Sequence, residues 1–169
     1  MKQSEEEEYR QYVVARMDRL RRAAYLLCRD WHMADDLVSV TIGKLYRNWH
    51  RAQQTEQVDA YVNKILLRSW LDERRRPWRR EHATAELPAM SSHEDAEPPD
   101  RVALLDLLSE LTPRRRAAVV LRYYCDLSVD ETASILGCTA GTIKSLTARG
   151  IEALRARAGA AAVQTGEKQ

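Results

Sequence analysis

The sequence predicts an all-α protein of two small helical domains, residues 1–82 and 101–158, that a flexible linker joins. Apolar residues recur at three- and four-residue spacing through most of the 169 residues, and strand signals are almost absent. The linker, residues 83–100, is rich in proline, serine and acidic residues and has too little apolar content to fold alone. The third observation is that Ser128–Arg155 carries the boundary residues of a helix-turn-helix.

Three helices are predicted in the first domain. Each carries an apolar stripe at helical spacing, and the expected spans are Tyr9–Arg29, Met33–His50 and Val58–Arg76. The polar segment Arg51–Gln57 separates the second helix from the third and is expected to be a loop. Pro77 ends the third helix, because proline has no backbone N–H and its ring clashes with the preceding turn.

The second domain is expected to contain the helix-turn-helix. Ser128 and Glu131 form a capping box, in which each side chain accepts a hydrogen bond from the backbone N–H of the other residue. Gly137 follows where a helix needs a residue in the left-handed conformation, and Thr139 caps the next helix. Residues 159–169 are expected to form a disordered tail.

The outer face of the second helix in this motif favours DNA binding. Ile143 and Gly150 recur at helical spacing and face the first helix of the motif. An ordinary helical hairpin inside a globular protein is the alternative, but it does not explain an outer face of polar, small and basic residues. The second helix of a helix-turn-helix usually enters the DNA major groove, and the candidate contact residues are Thr142, Lys144, Ser145, Ala148 and Arg149.

The net charge of +2 hides a strong segregation of charge along the chain. Residues 5–8 are consecutive glutamates, and residues 86–100 contain acidic residues and no Lys or Arg. Residues 68–80 hold six arginines against Asp72 and Glu73. A low net charge therefore does not argue against a nucleic-acid partner, because the basic residues are concentrated in one block.

The cysteine and histidine positions predict neither a metal site nor a cofactor. Cys28, Cys125 and Cys138 are far apart, and no pair has the spacing of a metal site or a redox motif. The four histidines are scattered, which argues against a small enzyme or a metal protein. No signal segment or membrane-spanning apolar run is evident, so a cytoplasmic protein with reduced thiols is expected.

Two passages resemble the extracytoplasmic-function (ECF) sigma factors of bacterial RNA polymerase. The first runs from ADDLV at residues 34–38 through AYV at 60–62 to Arg76, and it resembles the first conserved domain of that family. The second runs from LSELTPRRRAAVVLRYY at residues 108–124 through ETASILG and GTIKS to Arg155, and it resembles the C-terminal domain. The Trp- and Arg-rich end of the first domain is most similar to the actinobacterial SigE branch.

The resemblance implies a protein that binds core RNA polymerase and promoter DNA, and the family often has an anti-sigma factor as a further partner. The first domain would dock on the polymerase and read and melt the −10 element, and the second would read the −35 element. The polymerase-docking helix would contribute Asp35, Asp36, Leu37, Val38 and Thr41. Because neighbours on a helix point about 100° apart, Leu37 and Val38 are not expected to face the core together, which leaves one of them for a partner.

The −10 element would be read by the third helix of the first domain. An unpaired strand needs stacking planes and basic groups, and the candidates are Asn63, Lys64, Arg68, Arg74 and Arg75. Trp78 is a further candidate for stacking on a base, whereas Trp70, between Ser69 and Leu71, is expected in the core. Residues 53–57 either help to receive a flipped base or form a plain surface loop.

In the helix-turn-helix, the resemblance assigns phosphate contacts to Lys144 and Arg149. The smaller side chains of Thr142, Ser145 and Ala148 would touch base edges or a thymine methyl group. Leu146 is expected to complete the core beside Ile143. The Arg114–Arg116 run either touches the DNA backbone or is a solvated face.

A stand-alone helix-turn-helix regulator, which binds an operator as a dimer, is the alternative function. It explains Ser128–Arg155 equally well, but it leaves the N-terminal half of the chain without a role. Binding to core polymerase distinguishes the two functions.

Overall fold

Every element that the structure describes is a helix, which confirms the predicted fold class. The computed structural model describes residues 2–76 and 99–166, and its contacts divide the chain into two compact units, residues 1–92 and 93–169. No strand occurs within the two described ranges. Most of the predicted linker, residues 83–98, lies outside the described residues.

In the described part of the first unit, the three longest helices pack on one another. The helices are α1 (Gln3–Cys28), α2 (Trp31–Arg47), α3 (Trp49–Gln53) and α4 (Val58–Arg75). Asp30 starts α2, because its carboxylate accepts hydrogen bonds from the backbone N–H groups of His32 and Met33, at 2.8 and 3.1 Å. Both α1 and α4 pack on α2. The core of the unit includes Leu20, Ala24, Leu27, Ala34, Leu37, Val38, Leu45, Val62, Leu66, Leu67 and Trp70.

The helix predicted for Met33–His50 is divided at Asn48. The side-chain amide of Asn48 donates a hydrogen bond to the carbonyl of Lys44 at 2.8 Å, which satisfies a carbonyl at the end of α2. The chain then turns into α3, which buries Trp49 in the core. Because α3 continues to Gln53, the predicted loop Arg51–Gln57 begins later than expected.

An aromatic cluster fixes the N-terminal part of α1 on the rest of the unit. Tyr9 and Tyr12 both contact Trp49, with ring centroids 5.5 and 5.4 Å apart. The hydroxyl of Tyr9 donates to the carbonyl of Ile42 at 2.9 Å, and that of Tyr12 donates to the carboxylate of Asp59 at 2.6 Å. Burial, and then this hydrogen bond, raise the pKa of Tyr12, so its hydroxyl keeps the proton that it donates.

The second unit is also helical in its described part. Its elements are α5 (Pro99–Glu110), α6 (Pro113–Val119), a π-helical turn (Val120–Tyr124), α7 (Val129–Leu136) and α8 (Ala140–Gly166). Helix α8 packs on α5, α6 and α7. Helix α5 begins two residues inside the predicted linker, which ends at Asp100. The core includes Leu108, Leu111, Ala117, Ala118, Val119, Val120, Leu121, Leu127, Ala133, Ile135 and Ile143.

The predicted boundaries of the helix-turn-helix are confirmed. Ser128 Oγ accepts from the N–H of Glu131 at 3.0 Å, and the Glu131 carboxylate accepts from the N–H of Ser128 at 2.6 Å. Gly137 ends α7 in the left-handed conformation, with φ at 65°. Thr139 Oγ1 accepts from the N–H of Thr142 at 3.2 Å and so caps α8.

Helix α8 continues past the predicted end of the second domain. A disordered tail is predicted from Gly159, yet the helix runs on to Gly166. The expectation is therefore wrong for residues 159–166. Alanine is the strongest helix former, and Ala158 before Gly159 and the three alanines after it offset the cost of about 1 kcal/mol for one glycine inside a helix.

The side chain of Arg116 caps the end of α5. Its guanidinium donates to the carbonyls of Leu108, Ser109 and Leu111, at 2.9, 2.8 and 3.1 Å. Carbonyls at the end of a helix lack partners within the helix, and a cation is favourable there. Within the Arg114–Arg116 run, Arg116 therefore belongs to the fold of the unit.

We expect Arg116→Ala to destabilise the second unit by about 2–3 kcal/mol, because three backbone carbonyls lose a charged donor. The matched control is Arg114→Ala, which removes the same side chain from an exposed position two residues earlier. The control is expected to change stability by less than about 0.5 kcal/mol. Hydrogen exchange of α5 and α6 peptides in the full-length protein measures both effects. Equal effects of the two substitutions would contradict the capping role.

Candidate nucleic-acid interface

All the predicted contact residues of the helix-turn-helix lie on the exposed face of α8. Ile143 and Thr147 are buried, at 0 and 8% exposure, and Gly150 is buried with them on the opposite face. Leu146, which was expected to complete the core, is half-buried. The exposed residues are Thr142, Lys144, Ser145, Ala148 and Arg149.

Two further residues belong to this exposed face. Glu152 lies one turn beyond Ala148 and two turns beyond Ser145, so its carboxylate would repel phosphates and limit close DNA contact to the first turns of α8. Gly141 lies in the first turn, where an added Cβ would meet only Thr139 Oγ1, at 3.9 Å. Neither residue was predicted as part of the site, although helical spacing from Ser145 points to both.

A stripe of solvent-facing residues runs along α4 in the first unit. It lies opposite Val62, Leu66 and Trp70, which are buried. The stripe begins in the polar loop before the helix and combines one aromatic ring and three cationic groups, which suit a single nucleic-acid strand, with one carboxylate. Its members are Gln57, Tyr61, Lys64, Arg68, Asp72 and Arg75. Tyr61 was not among the predicted −10 candidates, because a half-exposed tyrosine cannot be distinguished from a core tyrosine by spacing alone.

The other −10 candidates lie away from this stripe. Trp70 is 1% exposed, which confirms its predicted place in the core, and the Arg74 guanidinium lies 5.3 Å from the centre of its ring. Asn63 is half-buried. The helix ends at Arg75, before Arg76 adopts an extended conformation, as expected for a residue that precedes a proline. Pro77 and Trp78 lie outside the described residues.

The predicted polymerase-docking side chains of α2 are largely buried. Leu37 and Val38 are 4 and 5% exposed, and Thr41 is 0% exposed and donates its hydroxyl to the carbonyl of Leu37 at 2.6 Å. The expectation that either Leu37 or Val38 is free for a partner is therefore wrong. The physical reason is that both α1 and α4 pack on α2, so its buried arc is wide enough for two neighbouring residues.

The remaining face of α2 is open. It is mixed in character, with one carboxylate, one exposed valine at 46% and one glycine whose added Cβ would meet no atom within 4 Å. A groove between α2 and α4 borders it, with Asp36, Lys44 and Asp72 among its lining residues. The exposed residues of the face are Asp36, Ser39, Val40, Gly43 and Arg47.

Asp35 is engaged within the unit rather than on the open face of α2. Arg21 on α1 forms an ion pair with Asp35, and its Nη2 lies 3.2 Å from the second carboxylate oxygen. The guanidinium also lies 4.5 Å from the centre of the Trp31 ring, which stacks on Tyr25 at 4.0 Å. The hydrogen bond to Asp35 raises the pKa of Arg21. Asp35 therefore ties α1 to α2, whereas Asp36 faces solvent.

Comparison with known proteins places both units in one family. Residues 13–80 match the family model of Sigma-70 region 2, and residues 101–154 match that of Sigma-70, region 4. The RNA polymerase sigma-E factor of Streptomyces coelicolor is 34% identical over 149 residues, which cover 88% of this chain and 84% of that relative. The chain belongs to the sigma-70 family of RNA polymerase sigma factors.

The sigma factor resembles further relatives and solved structures. The RNA polymerase sigma-E factor of Streptomyces antibioticus is 32% identical over 156 residues, covering 92% of this chain and 87% of the relative. Among solved structures, the sigma factor RpoE from Bartonella quintana, in complex with the anti-sigma factor NepR, has a TM-score of 0.70 and 24% identity over 88% of this chain and 94% of that chain. CnrH, in complex with the cytosolic domain of CnrY, has a TM-score of 0.62 and 21% identity over 92% and 90%. These two structures support the fold.

As an RNA polymerase sigma factor of the ECF type, the protein directs transcription initiation. A stand-alone regulator would account for the second unit alone, and the match of residues 13–80 to Sigma-70 region 2 disfavours it. In residues 2–76 and 99–166, no cluster of three or more His, Cys, Asp or Glu side chains is arranged to hold a metal ion. Over the same described ranges, none of the helices combines the length and the apolar character needed to span a bilayer.

Proposed function

We propose that the two units divide promoter recognition between them, as the resemblance to ECF sigma factors implies. The first unit, which matches Sigma-70 region 2, binds core RNA polymerase and reads and melts the −10 element. The second unit, which matches Sigma-70, region 4, reads the −35 element through α8. The observation that carries this proposal is the presence of both family regions in one chain, each with an exposed face suited to its partner.

The open face of α2 is the proposed docking surface for core polymerase. The side chains of Leu37, Val38 and Thr41, which were predicted to dock, are buried and pack inside the unit. The exposed face of the same helix is therefore proposed in their place. Asp36 offers a carboxylate to a basic partner group, and Val40 offers an apolar contact beside it. Gly43 carries no side chain, so a partner helix can approach the backbone of α2 closely at this point.

The stripe along α4 is the proposed surface for the melted −10 strand. Tyr61 provides a plane on which a base stacks, and Lys64 and Arg68 follow it at helical spacing to hold the phosphates. Arg75 continues the stripe near the end of the helix. The unpaired strand would therefore run along α4 from the polar loop toward Arg75.

We expect Asp36→Lys to weaken binding of core polymerase about tenfold or more, because it reverses the charge that a basic partner group meets. Glu6→Lys is the matched control: it makes the same charge change at an exposed position in the first turns of α1. Both variants should keep the wild-type melting temperature, because both side chains are exposed. Fluorescence titration with core RNA polymerase from Streptomyces coelicolor measures the affinity. Equal loss in both variants would mean that net charge, and not this face, governs docking.

An anti-sigma factor is a further partner that we propose for this chain. The sigma factor RpoE is seen in a complex with the anti-sigma factor NepR, and CnrH is seen in a complex with the cytosolic domain of CnrY. The polymerase supplies the chemistry of RNA synthesis, so the chain acts as a non-catalytic initiation factor without a cofactor. Because the proposed partners of this chain, core RNA polymerase and promoter DNA, are in the cytoplasm, we propose a cytoplasmic location.

A further inference from the structure

The first turns of α1 precede the part of the chain that matches the family model of Sigma-70 region 2. The match to Sigma-70 region 2 begins at residue 13, whereas α1 begins at Gln3. This segment contains the four consecutive glutamates Glu5–Glu8. The aromatic contacts of Tyr9 and Tyr12 hold it against α3 and the start of α4.

Two of these glutamates bind polar side chains of α3. The carboxylate of Glu8 accepts a hydrogen bond from the side-chain amide of Gln53, and Glu5 Oε1 lies 3.4 Å from Nδ1 of His50. The other ring nitrogen of His50 lies 3.0 Å from the amide nitrogen of Gln54, which can only donate. A neutral His50 that accepts this bond carries its proton on Nδ1, the atom that faces Glu5.

The donors that Glu5 and Glu8 engage precede the proposed −10 surface along the chain. His50 and Gln53 belong to α3, and the loop after α3 leads into the stripe of Tyr61, Lys64 and Arg68. A carboxylate and a phosphate are both anionic hydrogen-bond acceptors, so they compete for the same donors. A hydrogen bond from the N–H of Lys2 to Glu5, the main cause of its lowered pKa, helps to keep that carboxylate charged.

We propose that Glu5 and Glu8 are intramolecular competitors of the promoter strand, which must displace them from His50 and Gln53 before it can use these donors. The inference rests on the proposed −10 surface of the first unit. Its consequence is a lower affinity for any strand that uses these donors, because displacing the two carboxylates offsets part of the binding free energy. Exposed contacts of this kind are weak, so the competition adjusts affinity rather than blocking it.

The test is the affinity of holoenzyme, made from full-length protein and Streptomyces coelicolor core polymerase, for a promoter that the wild type transcribes. Glu5→Ala with Glu8→Ala is expected to tighten binding about two- to fivefold, the range that weak exposed contacts allow. The matched control is Glu6→Ala with Glu7→Ala, which removes the same charge from the same turns of α1. Glu7 bonds only to Gln11 of its own helix among the contacts described, and Glu6 is exposed.

The control should change affinity less than the Glu5/Glu8 variant. In a Gln53→Ala background, the gain from Glu8→Ala should shrink, because the released donor is missing. Equal gains in the two double variants, no gain in either, or weaker binding in the Glu5/Glu8 variant would overturn the inference. Failure of the wild type to form holoenzyme or transcripts would instead overturn the proposed function, so the two failures are distinguishable.

Discussion

Gly150→Leu is expected to destabilise the second unit by about 2–3 kcal/mol, because α8 crosses α6 too closely at this point for any side chain. A Cβ at position 150 would lie 2.7 Å from Cγ2 of Val119, 3.8 Å from Cδ1 of Leu111 and 4.0 Å from the carbonyl oxygen of Arg115. The branched side chain of Val119 is stiff and buried, so it cannot move aside. Hydrogen exchange of α6 and α8 in the full-length protein measures the loss.

A glycine elsewhere in the same helix provides the control for this prediction. Gly159 also lies within α8, but an added Cβ would meet no atom within 4 Å. Gly159→Ala should therefore stabilise the helix by about 0.5–1 kcal/mol, whereas Gly150→Ala should gain nothing or lose stability. A stabilising Gly150→Ala would contradict the close crossing of α8 and α6.

The second large effect is expected from Lys144→Ala combined with Arg149→Ala, which should lower transcription from a −35-dependent promoter tenfold or more. Both cations lie on the exposed face of α8 and are proposed to contact phosphates. Each lost phosphate contact reduces the magnitude of the slope of log affinity against log salt concentration by about 1. The slope of the double variant should therefore be smaller in magnitude by about 2. Promoter binding by holoenzyme at several salt concentrations gives the slope.

Two controls separate phosphate contact from general charge. Lys144→Arg with Arg149→Lys keeps both cations and should keep most of the slope. Arg155→Ala removes an exposed cation of the same helix beyond Glu152, and its effect on the slope should be well below 1. If Arg155→Ala were as damaging as the loss of Lys144 and Arg149, the contact face would extend farther along α8 than proposed.

Local chemistry explains why the helix-turn-helix could be predicted from the sequence. The capping box of Ser128 and Glu131 depends on residues three positions apart, and Gly137 is favoured by its own backbone conformation. The outward direction of Lys144 and Arg149 follows from the spacing of Ile143 and Gly150. None of these features requires knowledge of a distant element.

The features that could not be predicted depend on contacts between elements. Leu37 and Val38 are both buried because both α1 and α4 pack on α2, and the sequence of α2 does not reveal how many neighbours it has. In the sequence, Arg116 is one member of a basic run. Its role as a cap becomes evident only from its hydrogen bond to the carbonyl of Leu108 near the end of α5. The division of the second predicted helix at Asn48 likewise depends on the burial of Trp49 against α1.

The same distinction applies to the two neighbouring aspartates of α2. Sequence reasoning treats Asp35 and Asp36 alike, because both stand near the start of a helix, where carboxylates suit the dipole. The ion pair with Arg21 on α1 separates them, since it holds Asp35 within the unit and leaves Asp36 toward solvent. The proposed docking surface therefore rests on a contact between helices rather than on a motif.

The measurement that tests the central claim most directly is run-off transcription with purified protein and core RNA polymerase from Streptomyces coelicolor. The two are first mixed and followed by gel filtration, and genomic DNA from the source bacterium then serves as template. The account predicts a stable complex and discrete new transcripts that depend on the added protein. Binding of DNA by the protein alone, with no complex and no transcripts, would contradict it.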